Sequence, residues 1–180
     1  KRGHRPIIID SLAVNNILSF TDSEIKNRKL YWSILNQRMD LLHENDIQIN
    51  IEDARNYNAM CLLLENEKPD VIIQLAAVAH ANKSNKDPHT TFDHTLRTLE
   101  NTLDIAKSWN SHVIYFSSSM VYGHFDGESV TEETTCNPLG IYGTLKYSGE
   151  LIVKAYYRVF DIPYTIVRPS ALYGERCVSR

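Results

Sequence analysis

The 180-residue chain lacks the features that mark several protein classes. It has three cysteines, Cys61, Cys136 and Cys177, an odd number with no Cys-x-x-Cys and no metal-ligand spacing. That pattern speaks against a disulfide scaffold or a structural zinc site and for reduced, buried thiols in a cytoplasmic protein. No apolar run approaches the roughly 18 residues of a membrane span, and no signal peptide is read at the start. Positive charge is not in excess either: 19 Lys and Arg against 22 Asp and Glu give a formal net charge of -3. Nucleic acid and anionic membrane are therefore not expected as partners. The seven histidines include no His-Glu-x-x-His, and His89 and His94, five apart, diverge on a helix, so a zinc enzyme is not expected. Internal repeats, low-complexity tracts, linkers and an initiator methionine are also missing. Both ends are expected to be cuts through a longer chain.

What is present is ordinary for one soluble domain: 43% hydrophobic and 23% charged residues, over a length that supports one sizeable core. Residues 6–10 read as a short buried strand closing on Asp10. Residues 22–45 are helical in period and broken once, 47–51 alternate as a strand, and 53–67 return to helical spacing. Pro69-Asp70 stops that helix and starts an apolar strand over 71–75. Residues 81–88 form a loop by composition. A long helix follows with Phe92, Leu96, Leu99, Leu103 and Ala106 on one face. Residues 112–116 are the next strand, 123–140 a turn-rich acidic surface loop, 141–160 a helix and 164–168 a last strand. Apolar strands alternating with helices predict an α/β, doubly wound parallel sheet covered on both faces. Ligands of such sheets bind beyond the carboxyl ends of the strands, which directs attention to Asp10, Asp53, Ala76, Ala77, residues 117–119 and the stretch after Arg168.

Tyr142-Gly-Thr-Leu-Lys146 carries the most chemistry. A spacing of four on a helix sets phenol and ammonium on one face, a turn apart. A phenol with its ordinary pKa near 10 is a poor base at neutral pH, and a cation beside it stabilises the phenolate. Lowering such a pKa by about three units takes roughly 4 kcal/mol. By itself the pair is more often a surface contact. Ser117-Ser118-Ser119, at the end of a buried strand 23 to 25 residues earlier, adds hydroxyls that can bond a substrate oxygen; its bland alternative is a strand-to-loop turn. Asp10, ending a strand, suits a ribose and equally a turn or helix cap.

On these residues, and on 69–77, 115–123 and 167–174, the chain resembles the extended short-chain dehydrogenase/reductases, the NAD-dependent sugar epimerase/dehydratase family, over essentially its whole length. The resemblance implies a Rossmann-type fold with NAD as cofactor and a nucleotide sugar as substrate. Asp10 would hold the adenosine ribose, favouring NAD over NADP because no arginine follows it. Asp53 and Ala54 would meet the adenine edge, and Leu75, Ala76 and Ala77 would line the dinucleotide. Thr95, where the family usually has Asn, and Ser117 would sit against the cofactor. Tyr142 would be the catalytic base and Lys146 would bind the nicotinamide ribose. Pro169 to Leu172 would contact the nicotinamide amide. Counting back from Val121-Tyr122-Gly123, the catalytic hydroxyl falls on Ser118, with Ser118, Ser119 and Met120 facing the substrate.

The family's glycine-rich phosphate loop and its strand would precede Lys1, so residues 1–180 are expected to be a partial NAD-binding domain that binds NAD weakly, with most of the substrate lobe missing. Asp10 and Asp53 stand 43 positions apart, which implies an extra helical insert. Family dehydratases carry an acid pair where this chain has Ser119 and Met120, and neither of these transfers a proton at neutral pH. An epimerase is therefore expected, with a dehydratase or reductase of the same superfamily as the alternative. The insert and the stretch His80-Ala81-Asn82-Lys83 are less usual for simple galactose-type epimerases. A non-catalytic NAD sensor is a further alternative, opposed by the intact Tyr142, Lys146 and Ser118. A homodimer is expected of the full-length protein.

Overall fold

The computed structural model describes residues 3–13, 26–79, 81–125, 127 and 129–176. The first residues of the expected 22–45 helix, His80 and Cys177 lie outside them. The chain divides into two compact units, one of residues 1–54 with 172–180, the other of residues 55–171.

In the first unit, β1 (Ile8–Asp10) and β2 (Ile49–Ile51) pair in parallel, Ile8 opposite Ile49 and Asp10 opposite Ile51. Their isoleucines favour the extended backbone, and parallel strands need a crossover, here α1 (Arg28–Glu44), which buries Leu35. Asn50 Nδ2 adds a bond across the pair to the Ile8 carbonyl at 3.2 Å.

The second unit holds β3 (Val71–Gln74), β4 (His112–Phe116) and β5 (Tyr164–Val167), parallel and in that order. Gln74 lies opposite Tyr115, and Phe116 opposite Val167. The helices are α2 (Tyr57–Leu64), α3 (Ala81–Lys86), α4 (Pro88–Phe92), α5 (Thr98–Trp109) and α6 (Ile141–Phe160). Leu99, Leu103 and Ala106 of α5, Val113 and Tyr115 of β4, Val153 of α6 and Ile162 make the core. Burying each large apolar side chain contributes about 1.5–3 kcal/mol. Asn56 caps α2 by accepting from Ala59 N, and α5 and α6 end on Asn110 and Asp161 in the left-handed conformation those residues tolerate.

The expected single sheet is found as two parallel sheets, one per unit. The expected 81–88 loop is corrected to α3. Its polar sequence hides a helix because tertiary contacts decide it: Ser84 is fully buried and α3 packs on α6. Asp87 then caps α4, its Oδ1 accepting from Thr90 N at 3.1 Å, with Pro88 in the first turn where a missing N–H does no harm. The expected long helix is likewise α4, a π-helical turn over Asp93–Arg97, and α5.

Candidate active site

Because β3, β4 and β5 are parallel, the residues that follow them, Leu75, Ser117 and Arg168, share one edge of the second unit's sheet. The ladder continues past β4: Ser117 N donates to the Val167 carbonyl at 2.8 Å and Ser119 N to that of Pro169 at 2.9 Å. Ser117 and Ser118 are buried, Ser119 is half-buried and Met120 is 44% exposed. Ser118 Oγ accepts from Met120 N at 3.2 Å and starts a 3-10 turn over Ser119–Tyr122. Ser117 Oγ points elsewhere, donating to Glu150 Oε1 of α6 at 2.6 Å.

Helix α6 brings Tyr142 and Lys146 to this edge through two glycines. A Cβ at Gly143 would lie 2.7 Å from the Met120 carbonyl oxygen, so the first turn of α6, with half-buried Tyr142, rests directly on the serine-run turn. A Cβ at Gly149 would lie 2.2 Å from the Tyr115 hydroxyl, so the Tyr115 side chain of β4 ends directly against the α6 backbone six residues further on. Lys146 is 5% exposed; its Nζ donates to the Phe116 carbonyl at 2.8 Å and sits 5.4 Å from the Tyr115 ring centroid. Burial pushes this ammonium down from 10.5 to about 8. Tyr115, whose hydroxyl donates to the Lys146 carbonyl at 3.3 Å, is pushed well above the ordinary phenol range by burial, then by Glu150 and Tyr142.

Around β3, Gln74 is buried and holds the turn after its strand. Its Nε2 donates to the Ala76 carbonyl and to Thr98 Oγ1, both at 3.0 Å, and its Oε1 accepts from Thr102 Oγ1 at 3.1 Å. Thr98 Oγ1 also donates to the Ala76 carbonyl at 2.6 Å. The Leu75 and Ala76 side chains are exposed, and Ala77 is half-buried. Thr95, one turn before Thr98 in the π-helical stretch, is 3% exposed, and its hydroxyl has no hydrogen-bond partner. Pi turns are frequent at functional sites.

The second unit thus gathers Leu75, Ala76, Ala77, Thr95, Ser117, Ser118, Ser119, Met120, Tyr142, Lys146 and Pro169. Asp10, Asp53, Ala54 and Leu172 belong to the first unit. There Asp10 is exposed at the end of β1, and its Oδ1 accepts from Leu12 N at 2.7 Å, forming a turn. Leu172 is 73% exposed. Sequence reasoning missed Glu150 and the Gln74–Thr98–Thr102 bonds. The spacing Tyr142, Lys146, Glu150 puts the carboxylate on the same helical face and could have flagged it.

A parallel sheet with serine, tyrosine and lysine at the carboxyl ends of its strands defines a Rossmann-type protein of the short-chain dehydrogenase/reductase kind. The model of the NAD dependent epimerase/dehydratase family matches residues 42–180, and the chain belongs to that family. It is 28% identical over 176 residues to Protein CapI of Staphylococcus aureus, covering 97% of this chain and 48% of that protein. Over 109 residues it is 36% identical to a putative UDP-glucose 4-epimerase of Methanocaldococcus jannaschii, covering 59% of this chain and 36% of that one. The UDP-glucuronic acid 4-epimerase of Bacillus cereus, solved with UDP-glucuronic acid and NAD, is similar with a TM-score of 0.70 at 26% identity, covering 89% of this chain and 46% of that one. The chain spans about half, or less, of the length of these relatives. No described helix is long and apolar enough to cross a membrane.

Proposed function

We propose that the whole protein is an NAD-dependent nucleotide-sugar epimerase acting on a UDP-linked sugar at its 4-position. One observation carries the reading: the close approach at Gly143 seats the Tyr142 turn of α6 against the turn begun by Ser118, with Lys146 buried behind it and no carboxylate at 119 or 120. The relatives' names, UDP-glucose and UDP-glucuronic acid 4-epimerases, support the substrate class.

The residues present fit a dinucleotide. Leu75 and Ala76 offer an exposed apolar edge, and the Thr95 hydroxyl is a buried polar group without a partner. Asp10 would hold the adenosine ribose, Asp53 and Ala54 the adenine edge, Leu75, Ala76, Ala77 and Thr95 the middle, and Pro169 and Leu172 the nicotinamide amide. NAD held there would supply the hydride acceptor and, once reduced, the hydride donor. Tyr142 takes the proton from the sugar hydroxyl as the carbon is oxidised and gives it back on reduction. Ser118 donates a hydrogen bond to the same oxygen. Lys146, an ammonium with three donors of which one goes to the Phe116 carbonyl, would share the others with the nicotinamide ribose. Ser119 and Met120 hold no proton for loss of water, so the keto sugar is reduced rather than dehydrated.

A cytoplasmic location and a homodimer of the whole protein belong to the same proposal. The cleft between the α4–α5 run and α6, where Phe92, Leu96, Ile152 and Tyr156 lie beside the polar or charged His89, Asp93, Arg97 and Glu100, is the face offered for the second. The test is proton NMR of the whole protein with UDP-glucose, UDP-glucuronic acid and UDP-N-acetylglucosamine. The proposal expects the 4-epimer of at least one to form with no second substrate added. A dehydrated 4-keto-6-deoxy product, or no turnover of any, contradicts it.

A further inference from the structure

Among the described residues of the second unit one carboxylate is wholly buried: Glu150, at 0% exposure, four residues beyond Lys146 on α6. Its Oε1 accepts from Ser117 Oγ at 2.6 Å and from Arg168 Nε at 2.9 Å, and its Oε2 accepts from Arg168 Nη2 at 2.7 Å. The other arm of the guanidinium, Nη1, donates to the Tyr122 hydroxyl at 3.0 Å and to the Glu132 carbonyl at 3.1 Å. The guanidinium carbon lies 5.0 Å from the Tyr122 ring centroid. The end of β4, Tyr122 of the turn after it, Glu132 and the end of β5 are in this way all tied to one point on α6.

Cohesion alone does not explain such a pair. Taking both charges out of water costs so much that well-packed apolar side chains of the same volume often serve as well or better. What apolar side chains cannot supply is direction. Successive residues of an extended chain point to opposite faces, so a Ser117 hydroxyl fixed on Glu150 also fixes where Ser118, at φ -163° and ψ 152°, must point. In the β4–β5 register, where Phe116 lies opposite Val167, the next residues Ser117 and Arg168 lie opposite each other, and both side chains reach Glu150.

We propose that Glu150 and Arg168 are positioning residues that hold the Ser117–Tyr122 segment and the chain around Glu132 in place against the Tyr142–Lys146 face of α6. The activity part of its test rests on the epimerase reading; the exchange part does not. In the double variant Glu150→Leu/Arg168→Met an apolar pair fills the volume. It should unfold within a few degrees of wild type, while amide hydrogen exchange over 117–122 and 130–134 speeds up by at least about tenfold. In the whole protein its kcat should fall by at least about tenfold, since misplacement of about 1 Å can cost a hundredfold. A double variant with wild-type unfolding, exchange and kcat overturns the proposal. If the double variant does not fold, Arg168→Lys decides. It keeps a charge for Glu150 but loses the fork, and should speed exchange over 117–122 and 130–134 and lower kcat; wild-type values of both overturn the proposal. If the wild-type protein turns over no nucleotide sugar, the epimerase reading falls, and the exchange result alone supports or overturns this inference.

Discussion

Lys146 makes the protein's stability depend on pH in a direction opposite to that of an ion-paired lysine. Its ammonium is 5% exposed and has a carbonyl and an aromatic face as partners, which is too little to replace water; it is pushed down from 10.5 to about 8. The folded protein therefore releases this proton near pH 8, while the unfolded chain holds it until about 10.5. Between those values the unfolded state binds more protons, so folding stability rises with pH. The full effect is about 3 kcal/mol, of which about 1 kcal/mol is reached by pH 9 and about 2 kcal/mol by pH 9.5. The assay is urea unfolding of wild type and Lys146→Met from pH 6.5 to 9.5. Methionine fills the same channel without a charge, and the difference between the two proteins cancels other titrations. That difference should be flat below about pH 7.5 and then move in favour of wild type by about 1 kcal/mol at pH 9. A flat difference throughout, or one that moves against wild type as pH rises, refutes the account of Lys146 as a desolvated cation.

Further predictions follow from the same contacts. Gly149→Ala should destabilise by about 1–3 kcal/mol, although alanine is the better helix former, because its Cβ would lie 2.2 Å from the Tyr115 hydroxyl; an unchanged urea midpoint contradicts the close approach. Ser118→Ala should lower kcat of the whole protein more than Ser119→Ala, and equal effects would move the catalytic hydroxyl. Calorimetry of the whole protein should find NAD bound more tightly than NADP, because Asp10 repels a 2′-phosphate, and Asp10→Asn should narrow the gap; the reverse preference removes Asp10 from the ribose site.

The strands were legible where apolar runs were continuous. The stretch 112–116 matches β4 residue for residue, and helix 141–160 matches α6, because its ends are marked by Gly140 and by Asp161, which tolerates φ 57°. Composition failed at α3, whose Ala-Asn-Lys-Ser-Asn-Lys sequence is made helical by the burial of Ser84 against neighbours far away in sequence. Periodicity failed at Asp93–Arg97, since a π turn slips the 3.6-residue register that the pattern assumes. In the site, Tyr142, Lys146 and the serine run were legible from spacing. The use of Ser117 to hold Glu150 was not, because nothing in three consecutive serines says which hydroxyl turns inward. Likewise Lys146 reads as a partner of Tyr142, while its shortest bond goes to the Phe116 carbonyl, a backbone atom that side-chain motifs do not encode.

The central claim is that Tyr142 moves the proton of the sugar hydroxyl, and turnover of the whole protein carrying Tyr142→Phe tests it most directly. Phenylalanine keeps the half-buried ring where α6 rests on the Met120 carbonyl and removes the proton acceptor alone. The account predicts an unfolding midpoint close to wild type and epimer formation slowed by at least about a hundredfold, the usual worth of a general base. Wild-type turnover by Tyr142→Phe would contradict it.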